Sequence, residues 1–247
     1  MRAFTGAALG LLVMTGVAAQ TPDSLLSETR LTVHTLLRED IFAGLLNDNL
    51  ERLSRAERNI EVLLKERPAQ RANLLAWKAG VATYRAVRAH ESGTPDEFER
   101  LFAEARAGFA EAATATSGNG GVAAITGGTL VTLADRLPEK HRAAAWSQAY
   151  DAYSLLWKEQ EAGIEQLPVH FKGEVLAGLT QSAQRTGRID ESAKYLDKML
   201  LVLVDTPYER TARTWKADPA SAATSNLTCK NCHGPGRLAA RVKALEK

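Results

Sequence analysis

Thr186-Gly187-Arg188-Ile189-Asp190-Glu191-Ser192-Ala193-Lys194-Tyr195-Leu196-Asp197-Lys198-Met199 is the stretch whose reading decides the fold. Its first six residues read as a tight turn between helices. Ser192, Leu196 and Met199 then recur at spacings of four and three, which is one face of a helix. The same order of a small, a large and an apolar residue occurs three times upstream, as Ala56-Ile60-Leu63, Ala105-Phe109-Ala112 and Ala149-Tyr153-Leu156. Each of the last three copies follows another helical stretch, beginning near Gln70, Val122 and Val169. A single helical pair cannot bury its apolar stripe alone, so pairs repeated along a chain predict a stack with a shared core.

The rest of the chain has the same character. Leu53, Ala56, Ile60, Leu63 and Leu64 hold the three-four spacing until Pro68 stops the run. Upstream, Pro22-Asp23 reads as a helix start followed by Leu26, Val33, Leu36 and Leu37. Asp40 reads as a second start, leading into Ile41, Phe42, Leu45 and Leu46. No stretch alternates with period two, so the predicted class is all-α. Loops are expected at Glu91-Ser92-Gly93-Thr94-Pro95-Asp96 and at Ser117-Gly118-Asn119-Gly120-Gly121. Gly127-Gly128 falls inside a helical pattern, where each glycine costs about 1 kcal/mol against alanine; the pair marks either close packing or a break. Beyond Val204, a short helix from Pro207 to Lys216 is closed by Pro219, and Ala220 to Asn226 reads as a small-residue linker.

The turn at residues 186–191 and the small-large-apolar spacing resemble the second helix of tetratricopeptide repeats, with Pro68 where that family closes a repeat. The resemblance covers roughly residues 50–204. It implies helical hairpin repeats in an α-solenoid, with a concave surface suited to protein partners. Departures are clear. The copies lie 49, 44 and 43 residues apart, against about 34 in the family. The first-helix signature is followed only loosely, at Trp77, Gly80 and Tyr84. An ordinary helical bundle remains the alternative.

Chemistry concentrates near the C-terminus, in Cys229-Lys230-Asn231-Cys232-His233. Two thiols three positions apart can each form a thioether to a porphyrin vinyl group, and the next residue supplies an imidazole for the iron. Here the chain resembles the c-type cytochromes over five residues plus Gly234. The resemblance implies one covalent haem c per chain, held by Cys229 and Cys232, with His233 as proximal iron ligand. A dithiol redox pair, half a zinc site or a plain disulfide compete for the same spacing. The first usually follows a strand in a βαβ unit, and the second needs a further pair of ligands. The only two cysteines of the chain both fall inside the string.

Class I cytochromes c bring a methionine from far downstream, whereas fourteen residues follow His233 here and none is Met or His. A C-terminal motif on an all-α chain is closer to the cytochromes c-prime, from which Gly234-Pro235-Gly236 departs. A sixth ligand would come from upstream: Met199, His170, His34, His90, His141, or none. Met199 reads as core filler. His90 and His141 fall in loop-like surroundings and read as solvated, while His170, just after Pro168, is the better placed.

The N-terminus points the same way. Arg2, the apolar run from Ala7 to Val17 and the small residues Val17-Ala18-Ala19 predict a signal peptide cut ahead of Gln20. The run is shorter than the ~20 residues of a membrane span. Three regions are therefore expected: signal peptide 1–19, helical-repeat domain 20–206 and haem-attachment segment 207–247. An exported, periplasmic protein would meet the haem-attaching machinery outside the cytoplasm, as the c-type resemblance implies.

With 45% hydrophobic and 24% charged residues, composition fits one globular domain or a short repeat array. Charge is uneven. Residues 207–247 hold eight Lys and Arg against three Asp and Glu, a net of +5, whereas residues 20–206 carry −4. The basic end (Lys216, Lys230, Arg237, Arg241, Lys243) would steer an acidic redox protein. No nucleic-acid partner is expected, and no membrane span remains after signal cleavage. Electron transfer is the leading function. The alternative is a helical-repeat scaffold for an exported complex, with haem as sensor or accessory. No nucleophile triad, phosphate loop or carboxylate pair appears, and a haem peroxidase would need a distal acid/base that the sequence does not reveal.

Overall fold

The computed structural model describes residues 33–115 and 120–225, with side chains from residue 37 onward. Every regular element among the described residues is helical: α1 (Val33–Asn47), α2 (Leu50–Glu66), α3 (Arg71–Glu91), α4 (Pro95–Thr114), α5 (Gly120–Leu133), α6 (Glu139–Gln160), α7 (Val169–Arg185), α8 (Ile189–Val202), α9 (Pro207–Ala217) and α10 (Pro219–Thr224). Helices pair in sequence as α1/α2, α3/α4, α5/α6 and α7/α8. Helices α3, α5 and α7 lie side by side and bind the hairpins into one stack. The molecule is thus an all-α array of helical hairpins around one continuous core.

Two of the hairpins turn by the same device. After α7, Gly187 takes a φ of 73°, Arg188 N–H donates to Ala183 C=O at 2.8 Å and Gly187 N–H to Gln184 C=O at 3.3 Å. After α3, Gly93 has the same φ of 73°, with Thr94 N–H bonded to Ala89 C=O at 2.9 Å and Gly93 N–H to His90 C=O at 3.0 Å. These are Schellman caps, which satisfy the last carbonyls of a helix and need a residue comfortable at positive φ. The sequences match as well, Ser92-Gly93-Thr94-Pro95-Asp96-Glu97 against Thr186-Gly187-Arg188-Ile189-Asp190-Glu191. Helices α3, α4 and α6 run to 21, 20 and 22 residues, which accounts for the long spacing between copies.

Gly127-Gly128 marks close packing, not a break. Helix α5 runs unbroken through it, and the fully buried Tyr153 ring of α6 lies against both Gly127 and Gly178 of α7. A Cβ at Gly127 would stand 2.8 Å from the ring, and one at Gly178 2.3 Å. Three helices meet at this contact.

Two sequence expectations need correction. Asp40 does not start a helix. It lies mid-way along α1, buried, and is held by Arg52 Nε at 2.8 Å and by Arg55 Nε at 2.6 Å from α2. Neutralised from outside its own helix, it fastens α1 to α2. Residues 220–226 are not simply a linker either, because α10 occupies Pro219–Thr224, with Pro219 in its first turn and the Asp218 carboxylate accepting from Ala220 N–H at 3.2 Å. Helices α9 and α10 pack on the hairpin stack, α9 against α8 and α10 against α7. Residues 1–32, with the expected signal peptide and the expected helix start at Pro22-Asp23, and the segment beyond Ser225 lie outside the described residues.

Candidate functional site

Cys229, Cys232 and His233 lie outside the described residues, and so do Lys230, Arg237, Arg241 and Lys243. What the structure defines is the point from which the chain enters that segment. Ser225, the last described residue, is gripped from two helices. Its carbonyl accepts from Gln181 Nε2 of α7, and its Oγ accepts from Trp215 Nε1 of α9 at 2.9 Å. Gln181 is fully buried and Trp215 nearly so. Two buried donors aimed at one residue fix Ser225 against the stack, because an unmade bond there would strand a buried polar group. Cys229 follows four residues later, within ~14 Å of Ser225 by chain length.

Helix α9 packs on α8 and α10 and meets α7 at Gly173. Tyr208 near its start covers Gly173, where an added Cβ would stand 2.3 Å from the ring, and Trp215 near its end reaches Ser225 at the level of Gln181. The basic charge on this helix is partly spent locally. Lys216 Nζ pairs with Asp197 at 2.6 Å and Arg213 with Glu209 at 2.6 Å.

The candidate axial ligands separate clearly. Met199 of α8 is fully buried, with its sulfur 3.6 Å from Thr180 Oγ1 of α7, so it packs the core between these helices. His170 stands in the first turn of α7 with its side chain 37% exposed and Nε2 3.6 Å from Glu174 Oε2. Burial pushes the Glu174 carboxyl above its ordinary pKa, and His170 and Arg38 pull it back only in part.

His90 and His141 are not in loops. His90 is exposed in the last turn of α3, its ring 5.9 Å from that of Phe98. His141 is in the first turn of α6, with its ring 4.8 Å from Phe102 and 5.4 Å from Phe98, so it is packed on aromatic surface instead of solvated. Both therefore sit against α4. His34 lies at the start of α1 with its side chain outside the described residues.

Among the described residues, no group of three or more His, Cys, Asp or Glu could hold a metal ion. No described helix is long and apolar enough to cross a membrane. Among the described residues, clefts also open elsewhere on the stack. One, of about 300 Å³, lies among α2, α3 and α4, between the ion pairs Glu57–Arg85 and Glu61–Lys78. Another, of about 280 Å³, is lined by Phe102, Phe109 and His141 between α4 and α6. Neither is lined by residues of α7, α9 or α10.

Sequence reading singled out Cys229, Cys232 and His233, which lie outside the described residues, and missed the grip on Ser225. The signal it left was weak: an aspartate before Pro219, and one tryptophan in an otherwise polar helix. Comparisons of the chain with protein-family models, with curated proteins and with solved structures found no match.

Proposed function

We propose that the protein is an exported monohaem c-type cytochrome that carries electrons on a helical-hairpin scaffold. The observation that carries this reading is the string Cys229-Lys230-Asn231-Cys232-His233, which holds both cysteines of the chain and a histidine directly after them. Its donor set fits the group: two thiols for the vinyl carbons and an imidazole for the iron. The hold on Ser225, four residues before Cys229, supports it, since a covalently held porphyrin needs its polypeptide positioned against the body of the protein. When bound, the haem supplies a one-electron ferric/ferrous couple, and burial and hydrogen bonding by the chain tune its potential. The reading makes the protein a carrier and not an enzyme.

The five cations Lys216, Lys230, Arg237, Arg241 and Lys243 would steer an acidic redox partner. The expected result is that bimolecular electron exchange with an acidic partner slows about tenfold or more between low and high ionic strength, as stopped-flow kinetics would read it. Rates indifferent to salt would remove that role. Lys216→Ala alone is expected to change little, because Asp197 already pairs with it.

A second reading makes the hairpin stack the working part and the haem an accessory. The two clefts among successive hairpins favour it. Truncation after Ser225 separates the readings: partner capture retained by the shortened chain supports the scaffold, and capture lost with the haem segment supports the carrier.

A further inference from the structure

We propose that the cleft between α4 and α6 binds a small carboxylate with an apolar, aromatic body, a role independent of residues 229–233. Each of the two helices packs within its own hairpin, α4 on α3 and α6 on α5, and the cleft opens between the hairpins. Both helices present a single stripe to it. On α4 the lining runs from Phe102 to Phe109 and on α6 from His141 to Gln148, each at i, i+3, i+4 and i+7. The space exists because the middle of both stripes is small, with Ala105 on α4 and Ala144 and Ala145 on α6. At about 280 Å³ the cleft is at the small end of ligand sites.

The walls set the body of the ligand. Phe102 and Phe109 supply aromatic surface, and the buried Leu130 of α5 and Thr83 of α3 also line the space. Thr83 Oγ1 donates to Ala79 C=O at 2.8 Å, so its proton is already placed and a ligand need not meet it. A flat apolar group suits such walls, because aromatic rings pair by edge and offset stacking. The polar groups set the head. Arg106 is exposed and makes no ion pair or hydrogen bond among the described residues. Its neighbours three and four positions away are Phe102, Ala103, Phe109 and Ala110, none of which can pair with a cation as a carboxylate would. Gln148 adds an amide donor, and no carboxylate lines the cleft. Glu99, whose Oε1 stands 3.8 Å from His141 Nε2, is held by Lys140 at 2.8 Å, so its charge is already matched. An unpaired guanidinium fork beside apolar surface is suited to a carboxylate, which it can take in two parallel hydrogen bonds. The cleft among α2, α3 and α4 contrasts with it. There Glu57, Glu61 and Glu104 stand with Arg58, Lys78 and Arg85, and the pairs Glu57–Arg85 and Glu61–Lys78 both close at 2.6 Å, so the charges are met internally.

Isothermal titration of the full chain with phenylacetate provides the test, alongside phenylacetamide, which keeps the body without the charge, and acetate, which keeps the charge without the body. Phenylacetate is expected to bind with a Kd of ~1 mM or tighter. Phenylacetamide should bind about tenfold more weakly, and acetate not measurably. Arg106→Gln should weaken phenylacetate about tenfold. Ala144→Phe, which fills the cleft from an exposed position, should abolish binding. Both variants should keep the helical circular dichroism and melting of the wild type, and Arg58→Gln, at the other cleft, should leave the affinity unchanged. No binding of phenylacetate, equal affinity for phenylacetate and its amide, or an affinity untouched by Arg106→Gln or by Ala144→Phe would overturn the proposal. So would a dimer, read by analytical ultracentrifugation, that Ala144→Phe dissociates, since a second copy would then occupy the cleft. The comparison of the three ligands uses the unaltered chain and holds whatever the variants do to folding. Haem content does not enter it, so its outcome is separate from that of the cytochrome reading.

Discussion

Replacing Gly178 by alanine is expected to lower the melting temperature by about 4–8 °C, an effect of sign opposite to what helix propensity predicts. Two terms compete. Alanine in the interior of α7 should gain about 1 kcal/mol over glycine. Against that, the new Cβ would sit 2.3 Å from the fully buried Tyr153 ring, whose same edge atoms also lie against Gly127 of α5. Overpacking of this kind costs about 3 kcal/mol, so the overlap wins by ~2 kcal/mol. The neighbouring pair on α5 provides an internal control. Gly127→Ala meets the same ring at 2.8 Å and should destabilise, whereas Gly128→Ala meets its nearest atom at 3.5 Å and should be neutral or slightly stabilising. Thermal unfolding by circular dichroism reads all three. A Gly178→Ala protein as stable as the wild type would mean that α5, α6 and α7 do not meet as described.

Asp40→Asn should cost about 2–4 kcal/mol in denaturant unfolding, less than a fully enclosed pair because Arg55 is half exposed and can be rehydrated. Burial alone would push the Asp40 carboxyl up, but the hydrogen bonds from Arg55 and Arg52 outweigh it and hold the folded pKa below 3.8. A depressed pKa contributes stability above the unfolded value and loses it as pH falls through the folded one. The difference between wild type and Asp40→Asn is therefore expected to be full near neutrality and to close below about pH 4. A difference that persists unchanged into acid would show that packing, not charge, is what the substitution removes.

Both sites mark the limit of what the sequence alone disclosed. Hairpin periodicity was legible because it is local: three-four spacing, a glycine at the α3/α4 and α7/α8 turns and a stop at Pro68 are written within a few residues of the helix they shape. Asp40 misled for the converse reason. An aspartate ahead of Ile41 and Phe42 has the form of a helix start, and the arginines that neutralise it lie twelve and fifteen residues on, in another helix. Gly127-Gly128 was ambiguous because its explanation, Tyr153, belongs to the next hairpin partner and Gly178 to the one after. Helix α10 could have been found, since Asp218-Pro219 is a start signal; its run of small residues hid it.

The candidate site divides in the same way. Cys229, Cys232 and His233 were singled out because the proposed chemistry depends on spacing along the chain, which sequence shows directly, and they lie outside the described residues. The grip on Ser225 was not legible, because a glutamine 44 residues away donating to a main-chain carbonyl leaves no pattern. The place of His141 among aromatic rings and of Met199 in the core likewise depends on neighbours brought together only by the fold.

Intact-mass determination of the full chain, produced with the c-type haem maturation machinery and recovered from the exported fraction, tests the central claim most directly. The account predicts a polypeptide beginning at Gln20 and heavier by one haem, an increment absent from a Cys229→Ser, Cys232→Ser double variant. A wild-type mass equal to bare polypeptide would contradict it.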